Sequence, residues 1–238
     1  MVYFMPISEN LAAVRDRIDK AARGSERSLE EIALMAVSKT QPAERIREAY
    51  SAGQRLFGEN RVQEFSGKID ALRDLRDAEW HMIGHLQTNK TAKTAELFRA
   101  VDSVDSLKLA EKLDDAARKV GRKLDVLIEI KVGGEAAKSG VAPDSAALDE
   151  LLMAAPRLEA LVLHGLMTVP PFADDPEAAR PYFRKLRELR DTIAARKLPG
   201  VTMDQLSMGM SHDFEVAIEE GSTCVRVGTA IFGERAKA

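Results

Sequence analysis

Eight short apolar runs, each followed by a helix-like stretch or turn, recur along this chain, and that alternation constrains its fold more than any other feature. The first run, Ala33-Leu34-Met35-Ala36-Val37-Ser38, is apolar at nearly every position, which suits a strand covered on both faces. The same pattern predicts strands at Arg55–Gly58, Trp80–Gly84, Ala100–Val104, Asp125–Ile130, Leu161–Met167, Met203–Ser207 and Thr223–Val227. Helices are predicted between them at Pro42–Ala52, Val62–Leu75, Thr91–Phe98, Leu107–Val120, Ser145–Met153, Pro176–Lys197 and Asp213–Glu220. Strands alternating with helices imply a parallel sheet, and eight such units imply a closed α/β barrel rather than an open sheet. The 238 residues only just suffice, since such barrels take about 200–250. A further helix, Ser8 to Arg23, precedes the first strand, with Ser8 as its cap, Leu11, Val14 and Ile18 as its apolar stripe, and Gly24 as its stop. Ser28-Leu29-Glu30-Glu31 forms a second capped segment. Little chain follows the last strand, so the N-terminal helix is expected to cover the barrel where an eighth closing helix would lie. No proline- or glycine-rich linker interrupts the pattern, and a single (β/α)8 domain over residues 1–238 is expected.

Composition narrows the function classes. Apolar residues are 45% and charged residues 31%, an ordinary core-forming balance that excludes a disordered chain. Thirty-five basic against 38 acidic residues leave a net charge of −3, which offers no electrostatic footprint for nucleic acid or an anionic membrane. Cys224 is the single cysteine, so no internal disulfide forms, and no Cys/His spacing suggests a metal site. The run Met1–Pro6 is too short and lacks the basic region of a signal peptide, and no stretch reaches the ~18 apolar residues of a membrane span. A soluble, cytoplasmic protein is expected.

In a barrel of this kind the chemistry sits at the C-terminal ends of the strands. Eight short segments qualify: 38–41, 58–60, 84–87, 102–103, 131–132, 167–168, 207–211 and 226–229. Lys39 is the sharpest residue among them. Alternation puts Ala33, Met35, Val37 and Lys39 on one face, so an apolar row ends in an amine at the mouth. Partial desolvation would lower its pKa and free it as a nucleophile toward a carbonyl. On position alone, a strand-end lysine that snorkels to solvent is the commoner case. Segments seven and eight shift the balance, because barrels often hold phosphate there. Ser207-Met208-Gly209-Met210-Ser211 and Arg226-Val227-Gly228-Thr229 supply hydroxyls, glycines and a helix start, where backbone N–H groups can hold a dianion. A strand-one lysine facing such a cup describes a ligand with both a carbonyl and a phosphate.

Other residues weigh less. His81, His85 and His164 are read as hydrogen-bonding histidines rather than metal ligands. Asn60 either contacts a ligand or caps the following helix. Arg184–Arg190 has leucines at helical spacing and reads as a solvated helix face. Met208 and Met210 are more often packing than chemistry.

Several motifs together resemble the pyridoxal phosphate homeostasis protein family. They are Ala36-Val37-Ser38-Lys39-Thr40, the run Phe57-Gly58-Glu59-Asn60-Arg61-Val62-Gln63-Glu64, the run Trp80 to Lys90, Lys138-Ser139-Gly140, Gly165-Leu166-Met167, the run Leu206 to Asp213 and Arg226 to Gly233. The likeness runs in order from about Ala33 to Arg235. The stretch Val132–Ala137 departs from the pattern, and no role is assigned to it. The resemblance implies a barrel like the N-terminal domain of alanine racemase. It implies pyridoxal 5′-phosphate held as an internal aldimine on Lys39, with phosphate near Ser207, Ser211, Gly228 and Thr229 and Arg226 facing the pyridine nitrogen. Asn60 and Met210 complete the expected cofactor-binding set. The family is a cofactor carrier and regulator of vitamin B6 and amino-acid balance without an established reaction, so apo forms of pyridoxal phosphate enzymes are the expected recipients and a monomer the expected state.

Two alternatives stand beside a non-catalytic carrier. One is an amino-acid racemase using the same aldimine; the other is a Schiff-base aldolase in which Lys39 attacks a sugar phosphate. Racemases of the alanine kind carry a β domain after the barrel, which does not follow here up to Ala238. Racemisation also needs two acid/base groups on opposite faces, and Tyr3, Tyr50 and Tyr182 all lie outside the strand-end segments.

Overall fold

A computed structural model describes residues 6–133 and 139–233. Eight parallel strands close into a barrel in chain order: β1 (Ala33–Val37), β2 (Leu56–Glu59), β3 (Glu79–Met82), β4 (Ala100–Val104), β5 (Leu124–Glu129), β6 (Leu161–Met167), β7 (Val201–Met210) and β8 (Cys224–Val227). Closure is made by β8 pairing with β1, with Met35 beside Arg226 and Ala36 beside Val227. Helices α1 (Ile7–Gly24), α2 (Ala43–Ser51), α3 (Val62–Lys68), α4 (Thr91–Leu97), α5 (Leu107–Lys119), α6 (Ala146–Ala154), α7 (Arg180–Ala195), α8 (Phe214–Glu219) and α9 (Thr229–Phe232) surround it. The α/β barrel expected from the alternation is the one observed.

The main core lies between strands and helices, where Phe57, Phe65, Trp80 and Phe98 form a chain of ring contacts at 4.7–4.9 Å. The α1 helix takes the outer position foreseen for it. It packs on α2, α8 and α9, with Asn10 donating to the Ile231 carbonyl at 2.9 Å and Arg17 paired with Glu215 at 2.6 Å. Its cap differs from expectation. The helix begins one residue earlier, at Ile7, and the Pro6 carbonyl rather than the Ser8 hydroxyl takes the first amides, those of Glu9 and Asn10. Ser28 caps its segment as expected, and the cap is a capping box with Glu31.

Two further departures have local causes. The helix predicted over Val62–Leu75 is α3 followed by a 3-10 turn, Ile69–Leu72. The strand predicted to end at Ser207 runs on to Met210 through a bulge, since Ser207 pairs with Cys224 but Met210 with Arg226. Gly209 permits this. Its φ is 92°, and a Cβ there would stand 2.6 Å from the Ala217 Cβ. Among the described residues, no helix is long and apolar enough to cross a membrane.

Candidate functional site

The mouth at the C-terminal ends of β7, β8 and β1 gathers most of the residues singled out from sequence. Met35 and Val37 are buried, and Lys39, the last of that row, is half-buried just beyond the strand. A Cβ on Gly228 would lie 3.5 Å from the Val37 carbonyl oxygen, so the turn after β8 sits against the end of β1. In that turn the Gly228 and Ala230 amides both donate to the Ser211 hydroxyl oxygen, at 3.2 and 3.4 Å. Two backbone N–H groups converging on one oxygen is the geometry of an anion nest. Thr229 is the exposed first residue of α9 in the same turn.

Arg226 lies deeper, only 4% exposed. Its guanidinium is held at two points, donating to the Ser207 hydroxyl and to the Thr168 carbonyl, each at 2.7 Å. Burial pulls its pKa down, while neighbouring Cys224, Asp102, Asp213 and Glu129 oppose that. Arginine nevertheless stays a cation and only donates. Ser207, grouped from sequence with the phosphate residues, accepts from Arg226, whereas Ser211 accepts from the Gly228 and Ala230 amides. Met210 is the strand neighbour of Arg226, and its amide donates to Asp213 at 2.6 Å. Burial pushes the Asp213 carboxyl up.

The end of β2 completes this side of the mouth. Asn60 stands there, next to Glu59, whose side chain is fully buried. Among the described residues, two buried side-chain oxygens have no hydrogen-bond partner, Glu59 Oε2 and Asn60 Oδ1, and they are consecutive. Such atoms are few in native proteins and ask for an explanation such as a ligand or a proton. Burial pushes the Glu59 carboxyl up, against the Lys68 ammonium at 2.9 Å and the Ser38 hydroxyl at 2.6 Å.

A cavity of about 630 Å3 occupies the β3–β6 side of the mouth. Glu129 lines it, a carboxylate missed from sequence because it precedes the segment taken as the strand end. Burial raises its pKa, while the Ser139 hydroxyl, 3.0 Å from both oxygens, holds it down. His85 pairs there with Asp105 at 3.2 Å. Tyr182, set aside from sequence, approaches this rim: its Cε1 lies 4.0 Å from where a Gly133 Cβ would stand. Lys138 and most of the Val132–Ala137 stretch lie outside the described residues.

One expected mouth segment is divided: the Ser103 hydroxyl donates to the Gly84 carbonyl at 2.7 Å on the mouth side, but Asp102 belongs elsewhere. Asp102 sits at the middle of β4 and, with Glu79, His81 and Asp125, lines a cavity of about 580 Å3 at the opposite end of the barrel. His81 Nδ1 lies 3.0 Å from Asp102 Oδ1, so His81 is indeed a hydrogen-bonding histidine. His164 likewise lies 3.3 Å from Asp125 and from Asp204.

The fold agrees with that of the chain's relatives. The family profile for the N-terminal domain of alanine racemase matches residues 10–236, and the chain belongs to that family of barrels. A pyridoxal phosphate homeostasis protein of Aquifex aeolicus is 49% identical over 231 residues, covering 97% of this chain and 99% of the relative. One from Escherichia coli K12 is 47% identical over 231 residues, covering 96% and 97%. A solved structure of PipY from Synechococcus elongatus, with pyridoxal phosphate bound, is 38% identical with a TM-score of 0.84, covering 95% of this chain and all of that one. Within the barrel family, then, this chain belongs to the pyridoxal phosphate homeostasis proteins.

Proposed function

We propose that this chain binds pyridoxal 5′-phosphate at the β7–β8–β1 mouth and serves vitamin B6 and amino-acid balance as a holder of the cofactor rather than as an enzyme. The observation that carries this reading is the paired amides of Gly228 and Ala230, which meet on one oxygen beside the strand end that bears Lys39. The two amides that meet the Ser211 oxygen can donate to a phosphate oxygen instead, with the Ser211 hydroxyl turned to donate beside them, so a dianion fits the donors present. When bound, the cofactor supplies an aldehyde that can condense with an amine, releasing water.

Each expected residue then has a task. Lys39 provides the amine. Ser211, Gly228 and Thr229 hold the phosphate. Arg226, oriented by Ser207 and Thr168, donates to the ring nitrogen; Asn60 and Met210 border the ring. A permanently charged donor leaves that nitrogen without a proton, which weakens the ring as an electron sink. The names of the relatives support a homeostasis role. We place the protein in the cytoplasm as a monomer that passes its cofactor to apo-enzymes.

The deciding experiment is an absorption spectrum before and after borohydride, followed by peptide mapping. The pyridoxyl group is expected on Lys39; finding it mainly on Lys90, Lys131 or Lys138 would refute the assignment. The relatives' names do not favour the racemase alternative, and turnover tests it directly. Multiple turnovers of L-amino acids at about 1 s⁻¹ or faster, lost in both Lys39→Ala and Tyr182→Phe, would install the enzyme instead.

A further inference from the structure

The geometry points to Lys68, Glu59 and Glu64 as positioning residues that set the turn carrying Lys39 and so fix the direction of its amine. The inference rests on the role proposed above for Lys39. Both chain neighbours of Lys39 are tied to this one cluster. On one side, Ser38 donates its hydroxyl to Glu59 at 2.6 Å, and its carbonyl accepts from Lys68 Nζ at 3.1 Å. On the other, the Thr40 amide donates to the Glu64 carboxylate, and the Gln41 carbonyl accepts from Lys68 Nζ at 3.2 Å. Lys68 closes the cluster by pairing with Glu59 at 2.9 Å and with Glu64 at 3.2 Å.

Thr40 shows that this arrangement enforces a shape. Its φ is 63°, a region that β-branched residues rarely enter. Such a conformation persists where the surroundings over-determine it, and these outliers gather at functional sites. The cluster is also poorly built for stability alone. The Lys68 and Glu59 side chains are 11% and 0% exposed, and in a buried pair desolvation offsets much of the attraction. One Glu59 oxygen is left without a partner as well. What four residues of turn gain from it is a single backbone path, and hence one exit direction for the Lys39 side chain. No sequence motif announces this, because Lys68 ends α3, 30 residues after Ser38.

The test separates holding the ligand from aiming the lysine. Pyridoxamine 5′-phosphate has the phosphate and ring but no aldehyde, so its affinity reads the pocket without Lys39 chemistry. In the full-length double variant Glu59→Gln/Lys68→Met, that affinity is expected to stay within about threefold. The rate of borohydride-trappable adduct formation with pyridoxal phosphate is expected to fall tenfold or more, and the pH midpoint of the adduct's absorption to shift. Should the double variant not fold, Glu64→Gln, at a half-buried side chain, is expected to slow the same rate at least threefold with unchanged pyridoxamine phosphate affinity. An unchanged trapping rate, or a parallel loss of pyridoxamine phosphate affinity, overturns the positioning role while leaving that of Lys39 intact. Wild-type trapping elsewhere than Lys39 would instead sink the underlying reading.

Discussion

Both ends of the barrel bury a direct ion pair, but they differ in how many polar groups are left unsatisfied around it. At the N-terminal end His81 meets Asp102 directly, and the imidazole and carboxylate satisfy one another inside the barrel. At the C-terminal end Glu59 has Lys68 at 2.9 Å, yet its second oxygen and that of Asn60 stay unpartnered, Arg226 is spent on neutral acceptors, and Thr40 holds an unfavourable φ. Strands run through both ends, so the sheet itself does not account for the difference. A parallel barrel turns from strand to helix at this end, where backbone amides can donate to a ligand. The mouth, where the ligand site is proposed, is the end that departs from full polar satisfaction.

Removing the lysine tests the mouth most severely. Lys39→Ala is expected to lower borohydride-trapped pyridoxyl at least ~100-fold, since the amine that forms the bond is gone. A trapped yield near wild type would erase the contrast between the ends. At the lower end, Asp102→Ala strips His81 of its partner and is expected to cost about 1–3 kcal/mol in urea unfolding. The same variant should bind pyridoxamine 5′-phosphate within about threefold of wild type, provided the two ends act independently; a larger loss would mean that Arg226 depends on Asp102 more than the contrast allows.

Phosphate should matter more than the ring. Charge-assisted bonds to a dianion are the strong ones, so pyridoxal lacking phosphate is expected to bind at least about tenfold more weakly. Equal affinities by titration would dissolve the anion nest. The smallest effect concerns pH. Burial disfavours the His81 imidazolium, but the Asp102 carboxylate outweighs it, leaving the folded pKa raised. Folded protein thus binds this proton more tightly than unfolded chain. That stabilisation is complete below about pH 6.5 and is lost as pH rises through the folded value. His81→Gln should flatten this decline in urea midpoint, whereas an unchanged slope would show that the pair is not the source.

Much of this architecture was legible in the residues. Hydrophobic periodicity is written by local covalent geometry, so the eight strands and their closure into a barrel followed from spacing alone, as did Lys39 at the end of an apolar row. Local rules also place Gly228 and Ser211 at strand-to-helix turns. Contacts across the barrel are another matter, since they depend on register and closure. That Arg226 takes Ser207 and Thr168, 19 and 58 residues earlier, was not readable from either segment. Nor was the inward turn of Asp102 toward His81, which assigned a supposed mouth residue to the far end. Sequence by itself determined which elements form, where a lysine and an anion cup can sit, and the family. Only the tertiary structure decided which polar groups meet, because partners distant in the chain are chosen by the packing of whole elements, and that is how Lys68 comes to lie beneath the turn of Lys39.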